Sequence, residues 1–360
     1  MRKIPMAKPQ IGREEIRNVK RVLKSLSLAQ GPEVKAFENE FSKIVGDREC
    51  VAVNSGTSAL HLALIALGIT SGDEVLLPSF TFAATANVVK LVNATPVFVD
   101  IDPKTYCIDP DHIENKITKN TRAIIVVHLY GLPANMLRIK EIAQKYSILL
   151  IEDASQAHKA SINGKLVGTF GDAAAFSFYP TKNITSGEGG MIVLSDDKTT
   201  RTCKLLRNQG MEKRYQNEII GFNLRMTDIH AAIGRVQLRK IDQMNDLRIS
   251  NASYLSSKLE VESIPVIPIG FKHVFHQYTI RIKQNRDIIS SKLVENGIGN
   301  DIYYPIPVHR LSSFNSSTYL PNTEEASNQV LSLPVHPGVS KKQLKRIVYN
   351  FNHIIQSQKI

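Results

Sequence analysis

Several features that define other classes of protein are missing from this sequence of 360 residues. No apolar stretch approaches the ~20 residues of a membrane span, and the basic first residues lack the apolar segment of a signal peptide. The three cysteines, Cys50, Cys107 and Cys203, have no CxxC spacing, which predicts neither a disulfide framework nor a metal site. These absences favour a cytoplasmic protein that does not contact a membrane.

The sequence also lacks the signs of nucleic-acid binding, although its net charge is +12. Its 45 basic residues are dispersed among 33 acidic ones, and no aromatic-rich basic motif accompanies them. A positive field of this kind also attracts phosphorylated small molecules. We therefore expect a small anionic ligand and no nucleic acid.

Two common phosphate-binding signatures are absent as well. The sequence has no GxGxxG, and no lysine follows the glycine of Asn54-Ser-Gly-Thr-Ser58, so neither a dinucleotide site nor a Walker loop is predicted. This segment nevertheless joins an apolar strand to an apolar helix, where backbone N–H groups and hydroxyls can hold an anion. It is either a phosphate site or a simple serine N-cap.

Near-continuous apolar segments alternate with helical ones over the first two thirds of the chain. This pattern predicts an α/β fold in which helices cover both faces of a mostly parallel, seven-stranded sheet. The seven predicted strands lie at 50–53, 74–77, 96–99, 123–127, 148–151, 173–177 and 190–194.

The remainder of the chain predicts a second, smaller domain of α+β type, because the pattern changes from Val261 onward and single cores stop growing at ~250–300 residues. We place the large domain at 1–245 and the small C-terminal domain at 246–360, and the N-terminal segment could pack with the small domain. A long helix at 228–259 is expected to join them, followed by a strand at 271–281.

Ligands of such sheets bind beyond the carboxyl ends of the strands, where Asp153 and Lys182 are expected. Lys182 stands in a glycine-rich turn, and a desolvated lysine supplies the neutral amine that Schiff-base chemistry requires. The alternative is a surface lysine in an ordinary turn.

Asp153 follows a buried strand, so its carboxylate either caps the next turn or partners a protonated ring nitrogen. We interpret His158 as structural.

Seven short motifs follow one another along the chain: Ser55-Gly-Thr-Ser-Ala59, Pro78-Ser-Phe-Thr-Phe82, His128-Leu-Tyr-Gly131, Glu152-Asp-Ala-Ser-Gln-Ala-His158, Phe176-Ser-Phe-Tyr-Pro-Thr-Lys182, Gly187-Glu-Gly-Gly190 and Asn223-Leu-Arg-Met-Thr-Asp228. Their order and spacing resemble those of the sugar-nucleotide aminotransferases that depend on pyridoxal 5′-phosphate (PLP) and have the aspartate-aminotransferase fold, fold type I. The resemblance covers essentially the whole chain.

The resemblance implies a role for each residue around the ring of the cofactor. Lys182 would hold PLP as a Schiff base and later move a proton between cofactor and substrate carbons. Asp153 would pair with the pyridinium nitrogen, Gln156 would contact the hydroxyl side of the ring, and Phe82 would stack on its face.

The resemblance also implies a phosphate site made by Gly56, Thr57 and Ser177. In this family Asn223 would reach the phosphate of the neighbouring subunit, which implies a homodimer with shared sites. One departure from the family pattern is Lys159, which stands where a small residue is expected and is a rival amine.

The implied reaction is transamination, in which L-glutamate leaves as 2-oxoglutarate and the amino group passes to a nucleotide-linked keto sugar. The segment 185–190 resembles that of members acting on 4-keto-6-deoxy sugars, and the alternative is a 3-keto sugar. Candidate contacts to this substrate, including one phosphate contact from the arginine, are His276, Tyr278, Arg281, Tyr303 and His309.

Two rival functions share this fold. A dehydratase branch replaces the catalytic lysine with histidine, so Lys182 argues against it. A non-catalytic regulator would need none of Asp153, Gln156 and Lys182, and all three are present. The sequence therefore predicts an enzyme.

Overall fold

Twelve α-helices and fourteen β-strands make up the computed structural model, which describes residues 3–357. None of the helices in this range combines the length and the apolarity that crossing a bilayer requires. The helices are α1 (Arg13–Ser25), α2 (Pro32–Ile44), α3 (Gly56–Ala66), α4 (Ala84–Leu91), α5 (Pro110–Ile113), α6 (Met136–Tyr146), α7 (Asp197–Arg207), α8 (Asp228–Arg239), α9 (Ile241–Lys258), α10 (Arg286–Glu295), α11 (Pro321–Gln329) and α12 (Lys341–Ser357).

The strands divide between one large sheet and several small ones. The seven of the large sheet are β1 (Glu49–Val53), β2 (Glu74–Pro78), β3 (Thr95–Val99), β4 (Thr121–Val127), β5 (Leu149–Asp153), β8 (Ala173–Ser177) and β9 (Gly190–Leu194). The others are β6 (Ser161–Ile162), β7 (Lys165–Leu166), β10 (Met211–Lys213), β11 (Gln216–Asn217), β12 (Phe271–Lys272), β13 (Tyr278–Arg281) and β14 (Val330–Leu333).

The large sheet confirms the predicted fold class. Its strand order is β1-β9-β8-β5-β4-β2-β3. The pairs β2–β3, β2–β4, β4–β5 and β5–β8 are parallel, and β9 runs antiparallel to both of its neighbours. β1 therefore has the same direction as β8, and the carboxyl ends of β1, β2, β5 and β8 meet at one edge.

Burial on both faces explains the apolar runs of these strands. Every residue of β8 and β9 is buried, and separate apolar clusters cover the two sides of the sheet. Because β8 begins with Ala173, Ala174 and Ala175, a helix can lie close to the strand, and α3 packs on both β8 and β9. Small side chains thus bring the start of α3 to the ligand-binding edge.

The C-terminal part of the chain has a core of its own. This fourth apolar cluster joins α9, α10 and α12 to β13 and β14, and it also contains Ile4. Ile4 pairs with Ile298, donating its N–H to the carbonyl of Gly297 at 2.9 Å. The cluster begins at Ala252 in the C-terminal sequence, while the exact division at 245 and 246 stays a prediction.

Two predicted elements are wrong in extent. The helix expected at 228–259 is two helices that meet at Lys240, because α8 packs on α1 and α2 while α9 turns toward the fourth cluster. The strand expected at 271–281 is split into β12 and β13. Phe275 between them has a left-handed backbone (φ 46°), and the buried Arg248 guanidinium binds its carbonyl at 3.2 Å.

Candidate active site

A cavity of about 630 Å³ lies at the edge where the carboxyl ends of β1, β2, β5 and β8 meet. The C-terminal part of the chain closes one side of it. Nine of the thirteen residues that the sequence predicted for the site line this cavity: Gly56, Thr57, Phe82, Asp153, Gln156, Ser177, Lys182, His276 and Tyr303.

One end of the cavity is suited to an anion. The first N–H groups of α3, from Gly56 onward, have no partner within the helix, and they carry the positive end of its dipole. A Cβ added at Gly56 would lie 2.8 Å from Cβ of Ser177, so only glycine lets the helix start beside that hydroxyl. Ser55 is indeed the N-cap, accepting the N–H of Ser58 at 3.1 Å, and its turn also lines the cavity.

Lys182 reaches the cavity from the turn between β8 and β9, which buried amides and hydroxyls hold in place. The Asn183 amide donates to Asn245 Oδ1 at 2.8 Å and to the carbonyl of Val274 at 3.0 Å. The Thr185 hydroxyl donates to the carbonyl of Phe178 at 2.8 Å. Two of these bonds attach the turn that carries the lysine to other segments, and the third lies within the turn.

The Lys182 amine loses its proton more readily than that of an exposed lysine. Burial lowers its pKa to about 8, against the opposing effect of the Asp153 carboxylate. About a tenth of the amine is therefore neutral at pH 7, far more than for an exposed lysine. The rival amine of Lys159 is occupied, since it contacts both carboxylate oxygens of Asp242 at 2.6 and 2.7 Å.

Asp153 faces the same cavity as Lys182. Its Oδ2 accepts the hydroxyl of Thr85 at 2.8 Å, and its Oδ1 accepts the N–H of Ser155 at 3.2 Å. The second bond is the turn cap that the simpler interpretation predicted. The carboxylate remains directed into the cavity and can also face a cationic ring atom.

The neighbouring residue Glu152 supports this strand end from behind. Its fully buried carboxylate accepts His128 Nε2–H at 3.0 Å and the N–H groups of Gly168, Phe170 and Gly171 at 2.7 to 2.8 Å. Burial by itself would raise the pKa of Glu152, but these hydrogen bonds and the His128 interaction hold it below its usual value. The end of β5 is thereby fixed.

Gln156 is held in one orientation. Its Oε1 accepts the backbone N–H of Tyr130 at 2.8 Å, and its Nε2 donates to the hydroxyl of Tyr304 at 3.1 Å. His158 follows on the same turn but packs between the rings of Phe176 and Phe178. Burial lowers the pKa of His158 to about 3, so it is a neutral core residue.

Two of the predicted substrate contacts are corrected by the structure. Tyr278 is fully buried in the fourth cluster, and its hydroxyl bonds that of Ser256 at 3.0 Å. The Arg281 guanidinium binds Gln329 at 3.0 Å and Glu325 at 3.1 Å. Both side chains are engaged away from the cavity, because β13 directs them into its pairing with β14 and into α11.

His309 is corrected as well, since it acts inside the protein and not on the cavity surface. Its Nδ1 lies 2.6 Å from the Ser79 hydroxyl, and its Nε2 lies 3.2 Å from Glu324. The N–H of Val308 also bonds the carbonyl of Ser79 at 3.0 Å. His309 therefore attaches the 303–309 segment to the loop that follows β2.

Asn223 lies outside the cavity of its own chain. It is exposed, and its Oδ1 accepts Arg225 Nε at 2.9 Å. Its expected role toward a neighbouring subunit stays a prediction.

Sequence reasoning missed several polar groups that line the cavity. Thr85 lies just after the Pro78–Phe82 motif, and Tyr304 lies next to the predicted Tyr303, so proximity to a recognised motif is the signal that could have found them. The polar lining residues that were not assigned a role are Ser55, Thr81, Thr85, Ser155, Tyr179, Thr181, Glu188, Gln277 and Tyr304.

This set of groups fits pyridoxal phosphate. The cavity offers unpaired helix N–H groups for a phosphate, a buried amine for an aldehyde and a carboxylate for a ring nitrogen. Within residues 3–357, no group of three or more histidine, cysteine, aspartate or glutamate side chains could hold a metal ion.

Comparison with known proteins finds aminotransferases among the relatives of this chain. The chain is 42% identical to a UDP-N-acetyl-3-dehydro-α-D-glucosamine 3-aminotransferase of Acidithiobacillus ferrooxidans, over 93% of this chain and 92% of that protein. It is similar to the crystal structure of Streptomyces venezuelae DesV, with a TM-score of 0.94, 36% identity and coverage of 98% and 99%. Bacillus subtilis NtdA, solved with bound pyridoxamine phosphate (PMP), matches with a TM-score of 0.91, 31% identity and coverage of 99% and 86%. The model of the DegT/DnrJ/EryC1/StrS aminotransferase family matches residues 9–352, and the chain belongs to that family.

Proposed function

We propose that this protein is a transaminase that moves an amino group from an amino acid, with L-glutamate as the expected donor, to the keto group of a nucleotide-linked sugar. The observation that carries the proposal is the buried amine of Lys182, with its pKa near 8, in one cavity with Asp153. The cofactor is pyridoxal 5′-phosphate, which supplies an aldehyde for amines and a ring that withdraws electrons.

Lys182 performs the proton transfer in this proposal. Burial lowers the pKa of its Nζ to about 8, so a neutral fraction of the amine exists near neutral pH, and that nitrogen can take a proton from a substrate carbon and return it elsewhere. No other lysine lines the cavity among residues 3–357. A single amine therefore serves both halves of the reaction.

The other residues bind and orient. The Asp153 carboxylate, held by Thr85 and Ser155, would keep the ring nitrogen protonated. Gln156 and Phe82 would contact the hydroxyl side and the face of the ring. A phosphate would be held where the first N–H groups of α3 meet a serine hydroxyl, at Gly56, Thr57 and Ser177.

For the position of the keto group, we propose a 3-keto sugar nucleotide as the first substrate to test. The relative at 42% identity is named as a 3-aminotransferase, which favours this alternative. The segment 185–190, from which a 4-keto-6-deoxy sugar was expected, makes that class the second candidate. His276 and Tyr303 remain the proposed substrate contacts, because both line the cavity.

We also propose a cytoplasmic homodimer in which Asn223 reaches the partner's phosphate site. The apolar side chains beside Asn223 support this, since Ile220 is 93% exposed and Ile219 and Phe222 are partly exposed as well. Light scattering after size-exclusion chromatography would measure the mass. A monomer that retains full activity would contradict the shared site.

The cofactor attachment is tested by loading the protein with pyridoxal phosphate, reducing it with borohydride and mapping the peptides by mass spectrometry. We expect a pyridoxyl adduct on Lys182 and none on Lys159. Lys182→Ala should lose the adduct, whereas Lys159→Ala should keep it. An adduct on another residue would refute the assignment.

The reaction is tested with glutamate and a panel of 3-keto and 4-keto sugar nucleotides. The proposal expects 2-oxoglutarate and an amino sugar nucleotide from at least one of them. Rapid exchange between free amino acids, with no sugar consumed, would point to a different transaminase. Bound cofactor without turnover of any substrate would favour the alternative function, a non-catalytic regulator.

A further inference from the structure

Tyr304 lines the cavity beside Gln156, in a position that the sequence motifs did not single out. The orientation of the Gln156 amide determines which partner donates. Because Oε1 accepts the backbone N–H of Tyr130 at 2.8 Å, Nε2 is the atom that faces Tyr304, at 3.1 Å from its hydroxyl oxygen. An amide nitrogen only donates. The Tyr304 oxygen is therefore the acceptor, and its own proton is left for another partner.

No side chain or carbonyl within residues 3–357 accepts that proton. The hydroxyl also remains a donor at working pH. Burial raises the pKa of Tyr304 above its usual value, the Gln156 hydrogen bond offsets part of this effect, and the nearby Asp153 charge adds to it. Tyr304 thus presents an unpaired O–H group to the cavity.

The position of Tyr304 is set by the protein. Its ring lies 6.3 Å from those of Phe80 and Phe82. The hydroxyl of Tyr130 bonds the carbonyl of Tyr303, and the bonds between Ser79 and the 308–309 pair attach the other end of the segment. A donor that is oriented in advance binds without the cost of being ordered.

We propose that Tyr304 is a ligand-binding residue whose phenolic O–H donates a hydrogen bond to an oxygen atom of the molecule held beside Gln156. The inference rests on the proposed function. In that function two kinds of oxygen can occupy this place: the ring hydroxyl of the cofactor, or a hydroxyl or carbonyl oxygen of the sugar. An apolar group there would leave a buried donor unpaired, which is costly, so the residue selects for an oxygen.

The test compares Tyr304→Phe with Tyr106→Phe. Tyr106 is a matched control because it is also buried and packs on Phe80, with ring centroids 6.1 Å apart, but it does not line the cavity. Each purified protein, loaded with pyridoxal phosphate, is titrated with pH while its visible absorbance is recorded. KM and kcat are then measured for glutamate and for the accepted keto sugar.

Two results would support the proposal and identify the oxygen. If Tyr304 binds the ring oxygen of the cofactor, Tyr304→Phe removes a hydrogen bond that stabilises the anionic form of that oxygen. The midpoint of the absorbance titration of Tyr304→Phe then moves up by about one pH unit. If Tyr304 binds the sugar, the midpoint of the absorbance titration is unchanged and KM for the keto sugar rises about tenfold. KM and kcat for glutamate are then unchanged. The control variant should match the wild type in both measurements.

A Tyr304→Phe protein that matches the wild type in midpoint and in both KM values would overturn the inference. Tyr304→Leu provides a second variant if the first does not fold. The proposed function fails separately, because wild-type protein that consumes no keto sugar would contradict it while the absorbance comparison still reports on Tyr304.

Discussion

Lys182 and Asp153 line the same cavity, and the Asp153 carboxylate acts on the pKa of Lys182 in the direction opposite to burial. Burial favours the neutral amine, whereas the carboxylate favours the ammonium form. The balance leaves the pKa of Lys182 at about 8. An amine that was only buried would be less often protonated, and one at the surface would seldom be neutral.

The first prediction concerns the pH dependence of cofactor capture. The rate at which the apo protein binds pyridoxal phosphate covalently should rise with pH and reach half its maximum near pH 8, where Lys182 loses its proton. Asp153→Asn removes the group that raises this pKa, so the profile should move to lower pH. Stopped-flow absorbance measures both curves. A profile that moves to higher pH would contradict the assigned balance.

The second prediction concerns the support of Asp153. Thr85→Val removes the hydroxyl that donates to its Oδ2 at 2.8 Å, and the affinity for pyridoxal phosphate should fall about tenfold, since a hydrogen bond to a charged group is lost. Thr200→Val is the control, because that buried hydroxyl donates to a backbone carbonyl of α7's first turn at 2.8 Å. Fluorescence titration gives both constants, and equal values would refute the role of Thr85.

The third prediction concerns stability in acid. Glu152→Gln leaves backbone donors facing an amide N–H, and it should destabilise the protein by about 3 kcal/mol or more. The folded protein holds the pKa of Glu152 below its usual 4.5, so the carboxylate stabilises the fold above that pH and stops doing so as the pH falls through the lowered value.

The difference between wild type and Glu152→Gln in urea unfolding should therefore shrink in acid. Glu49→Gln is the control, since Glu49 pairs with Lys204 at 3.2 Å on the exposed surface, and its effect should be small at every pH. The measurements need equal protein concentrations, because an oligomer's stability depends on them. A difference in stability that grows below pH 4 would contradict the lowered pKa of Glu152 in the folded protein.

The fourth prediction concerns the close approach of β9 to the start of α3. A Cβ at Gly190 would lie 2.3 Å from the carbonyl oxygen of Ser55, so Gly190→Ala must displace the proposed phosphate site. We expect weaker cofactor binding and a loss of about 2 kcal/mol in stability. At Gly12 the nearest atom would be 3.5 Å away, and Gly12→Ala should bind the cofactor normally. Normal binding by both variants would refute the argument.

Much of the large domain could be predicted from local pattern alone. Strands such as β8 are apolar throughout because both of their faces are buried, and that burial is visible in the sequence. The residues that follow strand ends, among them Asp153 and Lys182, were predicted for the same reason, since parallel strands bring their carboxyl ends to one edge. The family was predicted from motifs that contain these residues, and the comparisons confirm that prediction.

The C-terminal part could not be predicted in the same way. His276 and Tyr278 are two residues apart, yet the first lines the cavity and the second is in the fourth core. The left-handed turn at Phe275 and the pairing of β13 with β14 determine which of the two side chains reaches the cavity. No periodic pattern in the sequence encodes that choice.

The sequence by itself determined the α/β architecture, the family and the amine and carboxylate on which the proposed chemistry depends, because short motifs and strand periodicity are local properties. Only the tertiary structure decided that Thr85 holds Asp153, that His309 binds Ser79 and not a ligand, and that Tyr304 accepts a hydrogen bond from Gln156. The partners in each of these contacts lie tens to hundreds of residues apart, and which side chains meet over such separations is set by packing.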